Sequence, residues 1–135
     1  MLSRKGFTLI ELMIVILIVA VLAAVLVPLL TSRINAAKWS EGKAGAGTVA
    51  TAIRAYLTER NTDIAAAQAL ALDTDLGFVA ADLQGKYFAM ANYAVTNVTY
   101  DSATHAMTYT VTVTAPAGVS GGPLTLDHTG AMSNP

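Results

Sequence analysis

The 135-residue chain contains no cysteine. That excludes a disulfide framework and any thiolate-bound metal or redox centre. Charge is almost missing from residues 7–30, where 24 positions hold a single ionisable side chain, Glu11. Cations are scarce in the second half: residues 61–135 carry Lys86 and six aspartates, formally −5, against seven Lys/Arg and three Glu, +4, in residues 1–60. A nucleic-acid surface needs a basic face with interleaved aromatics, so no nucleic-acid contact is predicted. Histidine is limited to His105 and His128, each in a predicted turn, where a surface role is expected. No Ser/His/Asp arrangement has supporting spacing. Gly42, Gly45 and Gly47 are too loosely placed for a phosphate loop. Nothing here reads as an enzyme.

What is present divides into two materials. Mean hydropathy is high, +0.53, and the excess lies in residues 7–30. The remainder is an Ala- and Thr-rich head, and the length suits one small domain. The acidic head has two readings: a solvated surface, or a surface that faces the basic stem of another copy.

Residues 1–30 fit three descriptions. A short basic leader followed by an apolar run suggests a removed signal peptide, but the run exceeds the usual ~7–15 residues and carries a carboxylate. A membrane anchor fits the length, since 24 helical residues span about 36 Å against a hydrocarbon core of about 30 Å. Arg4 and Lys5 favour a cytoplasmic N-terminus, a bias that Arg33, Lys38 and Lys43 offset. Glu11 fits an anchor poorly, at about 2.5–3.5 kcal/mol on insertion scales.

The third description uses every residue of the segment. Gly6-Phe7-Thr8-Leu9-Ile10-Glu11, continued by Leu12-Met13-Ile14-Val15-Ile16, resembles the class III signal of type IV prepilins and of type II secretion pseudopilins. The resemblance implies cleavage between Gly6 and Phe7 by a prepilin peptidase, N-methylation of Phe7, and a leader of residues 1–6. A Cβ at position 6 would crowd the peptidase cleft. Glu11 becomes the fifth mature residue and is expected to neutralise the Phe7 amine of a neighbouring copy, setting register in a helical homo-oligomer. A buried carboxylate is tolerable when paired. Pro28 becomes the twenty-second mature residue, where the family commonly has proline, and is expected to break the helix by removing one N–H and crowding the preceding turn.

The implied fold is α+β. A long N-terminal helix, partly transmembrane, packs on a small antiparallel sheet of three to four strands. Residues 7–30 form the apolar transmembrane and assembly helix, 31–61 its amphipathic continuation, and 62–135 the head. Thr31 and Ser32 cap a new helix start or continue a bent one. Val49, Ala52, Ile53, Tyr56 and Leu57 form a helical stripe. Ile34, Ala37, Trp39 and Ala44 are too irregular for a firm apolar face. The three glycines predict a soft or kinked stretch. Asn61-Thr62-Asp63 reads as the helix stop.

Residues 64–92 read as a connection. It holds a short Ala-rich helix at 64–72, a turn at Asp73-Thr74-Asp75, and a second short helix at 78–83 ended by Gly85. Strands are predicted over 93–100, 106–114 and 124–127. Met107, Tyr109, Val111 and Val113 alternate strictly with threonines. A turn at 101–105, a Pro/Gly loop at 115–123 and a turn at Gly130 connect them.

Pilins often close their last loop with a disulfide. Here packing, a bound ion or filament neighbours must hold it. Asp73, Asp75, Asp82 and Asp127 are weak calcium candidates, with solvated turn residues as the default. The implied function is a structural subunit of a type IV pilus-like filament. It would enter the inner membrane as a precursor, be handled by inner-membrane assembly machinery, and end in an extracellular pilus. Alternatives are a major pseudopilin in a periplasmic pseudopilus, or an uncleaved membrane-anchored periplasmic binding module.

Overall fold

A computed structural model describes residues 6–133. Arg4, Lys5 and the rest of the basic leader before Gly6 lie outside the described residues. The elements in order are α1 (Leu9–Arg60), β1 (Ile64–Leu70), a single 3-10 turn (Met90–Asn92), β2 (Tyr93–Tyr100), β3 (Met107–Val113) and β4 (Leu124–Asp127). Chain contacts divide the molecule after Ala36 into two compact units.

In the first unit every described residue up to Ile34 is exposed. The helix here is long and apolar enough to cross a membrane. It runs through Pro28 without interruption, so the expected break does not divide the helix in this state. Three residues on, the Thr31 hydroxyl donates to the Val27 carbonyl at 2.9 Å. Thr31 and Ser32 therefore continue the helix rather than cap a new one.

In the second unit residues 37–60 of α1 pack on a four-stranded antiparallel meander of order β1-β2-β3-β4. The buried helix face is Trp39, Gly42, Ala46, Val49, Ala50, Ile53 and Leu57. It extends the predicted stripe nearly three turns towards the N-terminus, to Trp39, through Gly42 and Ala46, whose small side chains conceal the period. Against it lie Val95, Val98, Tyr109, Val111, Val113 and Leu124, each at most 2 % exposed. The threonines of β3 occupy the other, wetter face.

The predicted soft stretch is instead a pair of close approaches. Phe88 lies over Gly42, where an added Cβ would come 3.0 Å from two ring carbons, and the Tyr93 hydroxyl occupies the space a Cβ on Gly45 would need. Trp39, Phe88 and Tyr93 form a continuous aromatic row, with centroids 5.3 and 6.4 Å apart. Burying one such ring contributes about 1.5–3 kcal/mol, enough to offset about 1 kcal/mol for a helical glycine. The helix stops at Asn61, whose φ of 43° and N–H bond to the Leu57 carbonyl at 3.1 Å form a left-handed cap.

Two predicted helices are absent. Residues 64–70 form an edge strand, with Ile64 opposite Tyr100 and Leu70 opposite Val95 and register shifts on both sides of Gln68. Alanine favours helix by a fraction of a kcal/mol per residue, less than is gained by extending a sheet over a buried face. Residues 80–83 form turns and 78–79 have no regular structure. Asp82 ends the segment by exchanging bonds with Val79: its carboxylate accepts the Val79 N–H at 2.9 Å, and its own N–H donates to the Val79 carbonyl at 2.9 Å.

Thr96 opposes Thr110 and Thr99 opposes Thr108, so Asn97 and Val98 share one partner position, a β-bulge. The outer edge of β4 is covered by the chain that follows it: Ser133 N–H donates to the Thr125 carbonyl at 2.9 Å, and Met132 bridges Leu126.

Candidate functional site

Gly6, Phe7 and Thr8 precede the helix, and Phe7 is 82 % exposed. The first four N–H groups of a helix have no partner within it. Thr8 and Glu11 meet that need reciprocally. The Thr8 N–H and hydroxyl both donate to Glu11 Oε2 at 2.9 Å, and the Glu11 N–H donates to Thr8 Oγ1 at 3.3 Å. This is a capping box, and it puts a carboxylate in the first turn, where the helix dipole favours one. The carboxylate that fits poorly in an apolar stem thus has a local partner. Among the described residues, a Cβ at Gly6 would meet no atom within 4 Å, so no described contact requires glycine there.

The remaining candidates are dispersed. Asp73 and Asp75 share the turn after β1, and Asp127 closes β4. Each is engaged with its own loop: Asp73 with Thr74 N–H at 2.9 Å, Asp75 with Ala71 N–H at 2.8 Å, and Asp127 Oδ1 with the N–H groups of Thr129 and Ala131 at 2.9 and 3.0 Å. No group of three or more His, Asp or Glu is placed to share a metal ion among the described residues. His105 Nδ1 meets the Tyr100 hydroxyl at 2.9 Å, and His128 lies edge-on to Tyr109.

Sequence reasoning missed Lys38, Trp39 and Glu41, which organise the head. Lys38 Nζ donates to the Gly118 carbonyl at 2.7 Å, and Trp39 Nε1 to the Ser120 carbonyl at 2.9 Å. With Val119 buried, these bonds hold the 115–123 loop. Glu41 accepts the Tyr87 and Phe88 N–H groups at 2.8 and 2.7 Å.

All six aspartates likewise accept a backbone N–H. Hydrogen bonds hold four carboxyls, those of Glu41, Asp63, Asp101 and Asp127, below their ordinary range. The Phe88 N–H acts on Glu41, the Ser102 side chain on Asp63, the Thr104 N–H on Asp101 and the Thr129 hydroxyl on Asp127. The head's negative charges are loop caps. Burial, followed by the nearby Glu41, pushes the Tyr93 hydroxyl up to about 12.

Residues 1–27 match the model of the prokaryotic N-terminal methylation motif. No curated protein and no solved structure matches the chain. The N-terminus therefore carries the class III prepilin signal of type IV pilins and pseudopilins, on a helix-plus-sheet arrangement that is pilin-like. The motif points to a structural subunit, processed by prepilin peptidase, with a membrane-anchored precursor.

Proposed function

We propose that this chain is the subunit of a type IV pilus-like filament. A prepilin peptidase releases it from the leader after Gly6 and methylates the Phe7 amine, and it polymerises through residues 7–30. The observation that carries the proposal is the Gly6-to-Glu11 segment on a fully exposed apolar helix. Among the described residues no atom occupies the place of a Cβ on Gly6, and Glu11 is a carboxylate that a plain anchor does not need. On docking, Glu11 would exchange part of its bonding to Thr8 for the cationic amine of a neighbouring Phe7. Coulomb attraction in a low-dielectric core would offset part of the desolvation penalty, so the pair sets register more than it adds stability. Pro28 is the place where the helix would bend or melt during that step.

Mass spectrometry of the native chain tests processing, with a mature N-terminus at methyl-Phe7 as the expected result. An intact Met1 in cells that contain the peptidase would favour the uncleaved anchor. Glu11→Ala should insert and be processed yet assemble poorly, and normal filament yield from it would overturn the assembly role. Electron microscopy of sheared surface fractions separates a surface pilus from a periplasmic pseudopilus of a type II secretion system. Filaments containing this chain are the expected result.

A further inference from the structure

Asn97, Val98 and Thr99 form the tripeptide Asn-x-Thr, the acceptor pattern for N-linked glycans on exported proteins. The filament role uses none of these three residues. The structure gives the asparagine an unusual setting. It lies in the middle of β2 at the bulge, with φ +56°. Val98 turns fully into the core at 0 % exposure, while Asn97 is exposed. Its backbone is held from the neighbouring strand: the Thr108 hydroxyl donates to the Asn97 carbonyl at 3.2 Å and also meets the Thr99 hydroxyl at 2.6 Å. The bulge thus carries the Asn97 carboxamide out of the ladder on the solvated face, where a large substituent displaces no core atom. The backbone angle alone would be served at least as well by glycine.

We propose that Asn97 is the acceptor of an N-linked glycan. This rests on the reading that the head is exported. The donor is a glycosyl diphosphate, lipid- or nucleotide-linked, used by a separate transferase. Asn97 Nδ2 attacks the anomeric carbon and the Nδ2–C1 bond forms. The C1–O bond to the diphosphate breaks, and the diphosphate leaves with its electron pair. The proton lost from Nδ2 passes to a base of the transferase. In the folded sheet the Thr99 hydroxyl is occupied by Thr108, so transfer precedes β2–β3 pairing. The bulge then leaves the sugar outside the finished head.

The test is mass spectrometry of the chain from the cells that make it, reading the N-terminus and the Asn97 peptide together. The expected result is a sugar mass on that peptide, lost in Asn97→Gln and Thr99→Ala and retained in Thr99→Ser. Asn97→Gly satisfies the bulge and should lose the sugar while the head keeps its protease resistance, which separates lost modification from lost fold. An unmodified Asn97 peptide in a chain that begins at methyl-Phe7 overturns the glycan and leaves the filament reading intact. Sugar that persists in Asn97→Gln overturns it as well. An intact Met1 together with an unmodified peptide overturns both.

Discussion

Gly45 faces the Tyr93 hydroxyl so closely that a methyl group would overlap it, whereas Gly47, two residues along the same helix, has open space beyond its Cα. The two glycines therefore predict opposite responses to one substitution. Gly45→Ala should destabilise the head by about 1–3 kcal/mol through overpacking, less the helical preference for alanine. Gly47→Ala should stabilise by about 0.5–1 kcal/mol, because only backbone entropy changes. Urea midpoints of the detergent-solubilised chain measure both, and equal signs would contradict the packing described.

The capping and charge roles of Glu11 can be separated. Glutamine also completes a capping box, so Glu11→Gln should keep the first helical turn protected in amide exchange yet lose filament yield. Thr8→Val does the reverse to the cap, at about 1 kcal/mol of helix-end stability, while the carboxylate remains. If Glu11→Gln polymerises normally, the cap rather than the charge is what matters.

Acid should loosen the head. Glu41, Asp63, Asp101 and Asp127 all have lowered values in the folded chain. In the unfolded chain such groups take up protons near their ordinary pKa, about 3.9 for Asp and 4.3 for Glu. The unfolded state therefore binds more protons in that region, and stability falls with falling pH. The contribution is complete above those ordinary values and disappears as pH drops through the lower folded ones. Urea midpoints between pH 6 and pH 2 should decline along an acid limb, and Asp101→Ala should flatten it.

Two buried tyrosines should respond differently to losing their hydroxyls. Tyr109 is 1 % exposed; the Arg54 guanidinium lies over its ring, 5.7 Å from the centroid, and no group among the described residues bonds its hydroxyl with good hydrogen-bond geometry. Tyr109→Phe should be neutral or stabilising, because it removes an unsatisfied buried group. The Tyr100 hydroxyl donates to Asn61 Oδ1 at 3.3 Å and meets His105 Nδ1 at 2.9 Å, joining two residues of positive φ. Tyr100→Phe should cost about 1 kcal/mol. Thermal unfolding of both variants gives the comparison.

β2, β3 and β4 were legible because alternation is a local signal: Tyr109, Val111 and Val113 advertise their face without reference to the rest of the chain. β1 was not, since Ala65, Ala66, Ala67 and Ala69 show no period and only pairing with β2 makes them a strand. The helix face through Trp39, Gly42 and Ala46 was hidden for a related reason. Glycine signals flexibility in one dimension, and its use as a seat for Phe88 appears only when the ring arrives from 46 positions away. At the N-terminus Gly6, Phe7 and Glu11 could be read as a motif. The Thr8 partnership was equally open to reading as Thr-x-x-Glu, a pattern that the pilin-like signal overshadowed. The bonds from Lys38 and Trp39 cross 80 and 81 positions, and no spacing rule reaches that far.

Exposed sheet edges are templates on which other chains can pair. Residues 131–133 occupy one edge of this sheet, and the two register shifts of β1 spoil the regular spacing of the other. In the proposed filament, heads crowded side by side on packed stems would have no straight rail along which to fuse. Polymerisation would then be left to the helix, and the finish of its margins would keep the sheet from serving as an amyloid template.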